Sequence, residues 1–139
     1  MRNKLYFVIE SLKEHNLDLL CITETWLLPS DVAIIEAALP GHFSFLHVPR
    51  STATRGGGVG LIYSGALSSI KVLAGHTEIS SFEVMEVTFS LRLQTFRVAI
   101  VYRPGHPGTD RTFMDEFSMT LEGVLSGRGR PLICGDFNY

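Results

Sequence analysis

Apolar residues recur at Leu5, Val8, Ile9 and Leu12, the spacing of one helical face. The pattern predicts a helix over about 4–15, with Asn3 as N-cap and Asn16 as a C-terminal breaker. Asp18-Leu-Leu-Cys-Ile-Thr23 is a compact apolar run and reads as a buried strand, which Glu24 to Pro29 leaves as a loop. Ser30 or Asp31 caps a second helix over about 32–39, stopped by Pro40-Gly41. From there the texture changes to strand, over about 42–48, 59–63, 69–73, 82–89 and 93–102. Within 82–89, Phe82, Val84, Glu86 and Thr88 share one face and Glu83, Met85, Val87 and Phe89 the other, so neither face is wholly polar. The turn around Arg92 makes the last two runs an antiparallel hairpin. Residues 103–110, with two prolines and two glycines, read as loop. Asp110 or Thr109 starts a third helix, with Phe113, Phe117, Leu121 and Val124 on one stripe. Gly127 to Pro131 end it, and Leu132, Ile133 and Cys134 form a last buried strand. The order helix, strand, helix, several strands, helix, strand predicts layered α/β structure, helices outside and sheets inside, in one domain over residues 1–139.

Composition narrows the class. Of the 139 residues, 45% are hydrophobic and 19% charged, so the chain is globular. A net charge of −2 argues against holding nucleic acid by a broad basic surface. The two cysteines, Cys21 and Cys134, sit in apolar strand-like runs and read as reduced buried thiols of a cytosolic or nuclear protein. Glu10, Lys13 and Glu14 interrupt the first apolar pattern, which excludes a signal-peptide core. No apolar run approaches the length of a membrane span. The expectation is an intracellular protein without a membrane partner.

The candidate chemistry gathers at strand ends. Asp136 and Asn138 follow the last buried strand and share a face, while Phe137 turns back toward the core. They suit a grip on a metal-bound phosphate, or equally an Asx turn that caps the strand. Glu24 leaves the first strand beside Thr25 and Trp26, a carboxylate at the mouth of an apolar-walled pocket or a plain surface glutamate. Trp26 is expected to plug the core at the base of that loop in preference to serving as a stacking platform. Tyr102 ends another strand and reads, residue by residue, as a half-buried sheet-edge tyrosine with its hydroxyl in water; it could instead aim that hydroxyl at a phosphate oxygen, with Arg103 as neighbouring cation. Arg55-Gly-Gly-Gly-Val-Gly60 lacks the Gly-Lys-Ser/Thr of a P-loop and reads as glycines that bend the chain into a strand. His15, His42, His47, His76 and His106 show no metal spacing, and no Gly-x-Ser-x-Gly elbow exists. If the strand ends converge, Glu24, Tyr102, Asp136 and Asn138 make an oxygen-rich set suited to Mg²⁺ or Mn²⁺.

Asp18-Leu-Leu-Cys-Ile-Thr-Glu-Thr-Trp-Leu27, Arg55-Gly-Gly-Gly-Val-Gly60, Val101-Tyr-Arg-Pro104 and Gly135-Asp-Phe-Asn138, in that order, resemble the endonuclease/exonuclease/phosphatase superfamily of DNase I-like fold. The form is similar to the endonuclease of LINE-type non-LTR retrotransposons, and the match runs over essentially the whole chain. The resemblance implies a four-layer α/β sandwich and Mg²⁺- or Mn²⁺-assisted hydrolysis of a phosphodiester. It makes Glu24 the metal-binding glutamate and Tyr102 the tyrosine on the scissile phosphate. Asp136 becomes the residue that orients or deprotonates water, and Asn138 the one that steadies the transition state. It implies DNA as substrate and a reverse transcriptase in the same polyprotein.

The departures are as informative. The family's first strand, with its asparagine, and its later strands, with a Ser-Asp-His motif, have no counterpart here. No histidine lies in a matching context. The expectation is an incomplete domain with little or no activity alone, since a missing general acid/base costs roughly 10²- to 10⁴-fold. Two alternatives stand beside a nicking endonuclease. One is a phosphoesterase of the same superfamily acting on lipid or inositol phosphates; the other is a degenerate, non-catalytic binding module.

Overall fold

The computed structural model describes residues 1–50, 56–73, 79–105 and 110–138. Arg55, His76, His106 and Thr109 lie outside them, as does half of the predicted loop over 103–110. In chain order the elements are α1 (Leu5–Glu14), β1 (Leu19–Thr23), α2 (Val32–Ala38), β2 (Phe43–Val48), β3 (Val59–Ser64), β4 (Ser68–Val72), β5 (Glu83–Leu91), β6 (Gln94–Tyr102), α3 (Asp110–Ser126) and β7 (Arg130–Asp136). Short 3-10 turns over Arg2–Lys4 and Pro29–Asp31 lead into α1 and α2.

The predicted start of the first helix needs one correction. Asn3 is no cap: the Lys4 N–H binds the Met1 carbonyl at 2.7 Å, which winds the chain into the 3-10 turn before α1 begins. Asn16 breaks the helix as expected, with φ of 48°. The 5–6 hairpin also stands, with Leu91 opposite Gln94 and Arg92 at φ 57°.

Two sheets form. One has the order β1-β3-β2, antiparallel throughout. The other has the order β4-β5-β6-β7, antiparallel except for the parallel β6–β7 pair, which α3 connects as a crossover. The sheets pack face to face over Val59, Leu61, Met85, Val87, Val98 and Ile100. On the outer face of the first sheet, Leu12 of α1 and Ile35 of α2 meet Phe45 and Ile62. On the outer face of the second, Phe113 of α3 meets Phe82 and Val101. The result is helix, sheet, sheet, helix: a four-layer α/β sandwich.

The near-apolar pattern of β5 now has its reason. Both faces are covered, one by the other sheet and one by α3. Glu86, on the helix side, is only 4% exposed and is held there by an ion pair with Arg97 from β6.

Candidate active site

Three strand ends line up on the inner face of the four-stranded sheet. Glu83 lies opposite Tyr102 in the β5–β6 ladder, and Tyr102 lies opposite Asp136 in the β6–β7 ladder. Residues directly paired in a sheet project to the same face. Glu83, Tyr102 and Asp136 therefore stand side by side, one step beyond the core row Met85, Ile100 and Cys134.

Gly135 makes the last member of that row possible. Its φ of 149° is a backbone state reserved for glycine, and a Cβ there would lie 1.8 Å from the Val101 carbonyl oxygen. Only a residue without a side chain lets β7 approach β6 closely enough to carry Asp136 to Tyr102.

Glu24 reaches the row from the opposite sheet. Strand alternation would send it to the helix side, with Leu20 and Ile22. A left-handed backbone, φ 51°, breaks that alternation, and the Tyr102 hydroxyl donates a hydrogen bond to Glu24 Oε1. The glycine run fixes this loop. Thr25 N–H donates to the Gly58 carbonyl at 3.1 Å and Trp26 N–H to the Gly57 carbonyl at 2.9 Å, which prolongs the β1–β3 pairing past Thr23. Thr25 is fully buried, and its hydroxyl lies 2.8 Å from His47 Nε2. Burial holds His47 below the usual histidine range, against the pull of Asp31. A Cβ on Gly58 would meet the Thr25 hydroxyl at 2.5 Å, so the loop and the glycines fit only as a pair. The run bends the chain into β3, as expected, and no helix follows it.

Arg50 and Glu83 lie outside the set expected from sequence. The Arg50 guanidinium, just past β2, forms an ion pair with Glu83 and sits 5.8 Å from the centre of the Tyr102 ring. Glu83 also accepts the Gly58 N–H, tying the row to the glycine run. The Glu83 carboxylate lifts Arg50 above the usual arginine range. Burial, then the bond to Glu24, pushes Tyr102 up to about 12, so its phenol stays protonated and donates. Arg50 carried the same signal as Glu24, a charged residue just beyond an apolar strand.

Two expectations fail. Arg103 is not a cation of this site: it is 3% exposed, on the helix side of the sheet, paired with Asp110 and 4.5 Å from the Phe113 ring. As the residue after Tyr102 it takes the opposite face, and α3 covers it. Trp26 is not a core plug either. With φ of 55° its backbone swings the indole out to 59% exposure, while Leu27 fills the core position at 5%.

Asp136 and Asn138 form the Asx turn that was one of the two readings offered for them. Asn138 N–H binds Asp136 Oδ1 at 3.2 Å, an Asx turn, and Asn138 Nδ2 donates to the Arg103 carbonyl at 2.8 Å. Both residues remain exposed at the end of β7, and Phe137 turns back against Phe117. Cys21 and Cys134 are free, half-buried thiols between the sheets, and the bond to Cys134 together with burial raises the Cys21 pKa. Among the described residues no three His, Cys, Asp or Glu side chains gather closely enough to cage a metal, and no described helix is long and apolar enough to cross a membrane.

Solved structures of this shape share little sequence with the chain. Danio rerio TDP2 complexed with a single-strand DNA product superposes with a TM-score of 0.73 at 10% identity, over 99% of this chain and 54% of that one. The catalytic domain of human nocturnin with bound sulfate gives 0.68 at 14%, over 100% and 58%. ANGEL2, a 2′,3′-cyclic phosphatase in complex with adenosine-2′,3′-vanadate, gives 0.65 at 16%, over 94% and 42%. The chain thus spans little more than half the length of the TDP2 and nocturnin chains it matches. No curated protein matches it by sequence. The sequence profile of the Endonuclease/Exonuclease/phosphatase family, however, matches residues 5–139. With that match and the two-sheet sandwich in agreement, the chain belongs to the endonuclease/exonuclease/phosphatase family.

Proposed function

We propose that residues 1–139 are part of a metal-assisted phosphodiester hydrolase domain, the DNA-nicking endonuclease of a LINE-type non-LTR retrotransposon. The observation that carries the reading is the row Glu83, Tyr102 and Asp136, faced by Glu24 from the other sheet. The Thr23-Glu-Thr-Trp26 and Gly-Gly-Gly-Val-Gly60 motifs support the retroelement branch, now as two halves of one braced loop. TDP2 holding a single-strand DNA product supports DNA as substrate. The reading implies an intracellular protein and a reverse transcriptase in the same polyprotein.

The donor set fits Mg²⁺ or Mn²⁺. Glu24 is an exposed carboxylate, and such ions accept one or two protein carboxylates while keeping their waters. Glu24 would hold the ion, which when bound supplies Lewis-acid polarisation of the phosphate. Tyr102, kept protonated, would turn its single O–H from Glu24 to a phosphate oxygen once an ion takes that carboxylate. Arg50 sets the phenol's position and adds positive charge beside it. Asp136 orients the attacking water and takes its proton, and Asn138 steadies the charge that builds on phosphorus-bound oxygen. Among the described residues no histidine bonds Asp136, so turnover by this stretch alone is expected to be weak.

The test is nicking of supercoiled plasmid with Mg²⁺ or Mn²⁺, alongside thermal melts in the same metals. We expect slow, chelator-sensitive nicking and metal-dependent stabilisation, both lost in Glu24→Gln and the nicking also in Asp136→Asn. No nicking and no stabilisation at millimolar metal would overturn the proposal in favour of a non-catalytic module. Turnover of small phosphoesters with none of DNA would favour the lipid- or inositol-phosphate reading.

A further inference from the structure

We infer that the Trp26 indole is a stacking platform for an unpaired nucleobase next to the phosphate that Tyr102 and a Glu24-held ion would bind. The inference rests on the hydrolase reading above and adds to that site a base that is unpaired, in a single strand or turned out of a duplex.

Four observations converge on it. First, Trp26 is 59% exposed, although burying an indole is among the largest hydrophobic gains a chain can make. Second, the exposure is imposed. Trp26 sits at φ 55°, a region that bulky residues rarely occupy, and its N–H is clamped to the Gly57 carbonyl at 2.9 Å. Backbone strain held in place by its surroundings concentrates at ligand-binding positions. Third, the indole is tied to the site: Nε1 donates to Glu24 Oε2 at 3.4 Å, on the carboxylate whose other oxygen takes the Tyr102 hydroxyl. Fourth, the ring lies beside Gly56, which has no side chain to crowd it. A Cβ on Gly56 would lie 3.5 Å from its Cε2 and Cζ2 atoms.

An aromatic face held beside a phosphate site is the usual arrangement for gripping single strands. Phosphate contacts fix the backbone, and stacking takes any base, because every base has a π-face. A base inside a duplex is already stacked on its neighbours and cannot use the platform without leaving the helix. The chain's small net charge of −2 fits a grip that relies on stacking more than on a basic surface. Leu28, 66% exposed two residues on, extends the apolar surface for a sugar or a second base.

Trp26 is the one tryptophan of the chain, so its emission reports the contact directly. The probe is a short single-stranded DNA, titrated in chelator so that cleavage plays no part. We expect saturable quenching of the tryptophan emission. A strand of equal length built of abasic sites, with the same phosphates, should bind roughly 5- to 150-fold more weakly and leave the emission unchanged. Trp26→Leu should lose affinity by a similar factor for a labelled intact strand, and Trp26→Phe should keep part of it. Circular dichroism and melting check that each variant folds; if Trp26→Leu does not, the quenching and Trp26→Phe carry the test.

Unchanged emission at saturating strand, or wild-type affinity in Trp26→Leu, overturns the inference. Quenching without any metal-dependent cleavage keeps the platform and sinks the hydrolase reading. Cleavage that is indifferent to Trp26→Leu does the reverse. A protein that binds neither strand and cleaves nothing overturns both.

Discussion

Replacing Gly135 by alanine should unfold the site and much of the sheet around it. The new Cβ would lie 1.8 Å from the Val101 carbonyl oxygen and 2.7 Å from its carbon, far inside contact distance. Val101 cannot give way, because β6 is an inner strand, paired to β5 on one side and β7 on the other. A non-glycine residue at φ 149° costs about 1–3 kcal/mol by itself. Losing the local ladder hydrogen bond adds about 1 kcal/mol, and loosening Ile133 and Phe137 from the α3 cluster adds about 1 more. The total, about 3–5 kcal/mol, corresponds to a melting point roughly 10–20 °C lower for a chain of this length. Gly123→Ala is the matched control. Nothing lies within 4 Å of a Cβ there, at a half-buried position in the last turn of α3, so alanine should gain about 0.5 kcal/mol. Thermal melts followed by circular dichroism, with urea titrations for the free energies, give both numbers. A Gly135→Ala protein melting within about 3 °C of the parent would refute the close β6–β7 approach, and with it the placement of Asp136 beside Tyr102.

Tyr102 offers a spectroscopic check. With its pKa pushed up to about 12, one of the four tyrosines should ionise late in an ultraviolet titration, and Tyr102→Phe should remove that late step. The folded protein holds the proton more tightly than the unfolded chain, so this contribution to stability is complete below pH about 10 and fades as pH climbs toward about 12. A titration in which all four tyrosines ionise together near the usual value would contradict the bond to Glu24. Glu83→Gln keeps the shape but turns one acceptor into a donor facing Arg50 or the Gly58 N–H, and should cost about 2 kcal/mol in urea unfolding. A midpoint equal to the parent's would mean that Glu83 does not brace the glycine run.

The legible parts of this fold were those in which periodicity and burial agree. The α1 stripe, the β5–β6 hairpin and the α3 stripe each bury the residues that their spacing picks out, and Glu24 and Tyr102 could be placed by the simple rule that strand ends meet. What escaped depends on backbone signs and on partners distant in sequence. Nothing local in Glu24-Thr-Trp26 announces two left-handed residues, so a tryptophan expected inside lies outside and its neighbour Leu27 takes the core. Arg103 looked like a site cation because it adjoins Tyr102, yet adjacency in a strand means opposite faces, and α3 closes over the one it takes. Arg50 was overlooked because its role exists only once Glu83, from a strand far along the chain, is set against it.

The parallel seam between β6 and β7 has a consequence for the order of events at synthesis. All three strands of the Glu24 sheet precede residue 65, so that layer is available to the nascent polypeptide early. Asp136 joins only when β7, which follows α3 in the chain, pairs with β6. A partly made chain therefore has Glu24 faced by Tyr102 but lacks the second carboxylate of the opposed pair. Whatever chemistry the two perform is withheld until the last strand seats, as though the molecule carried its own safety catch.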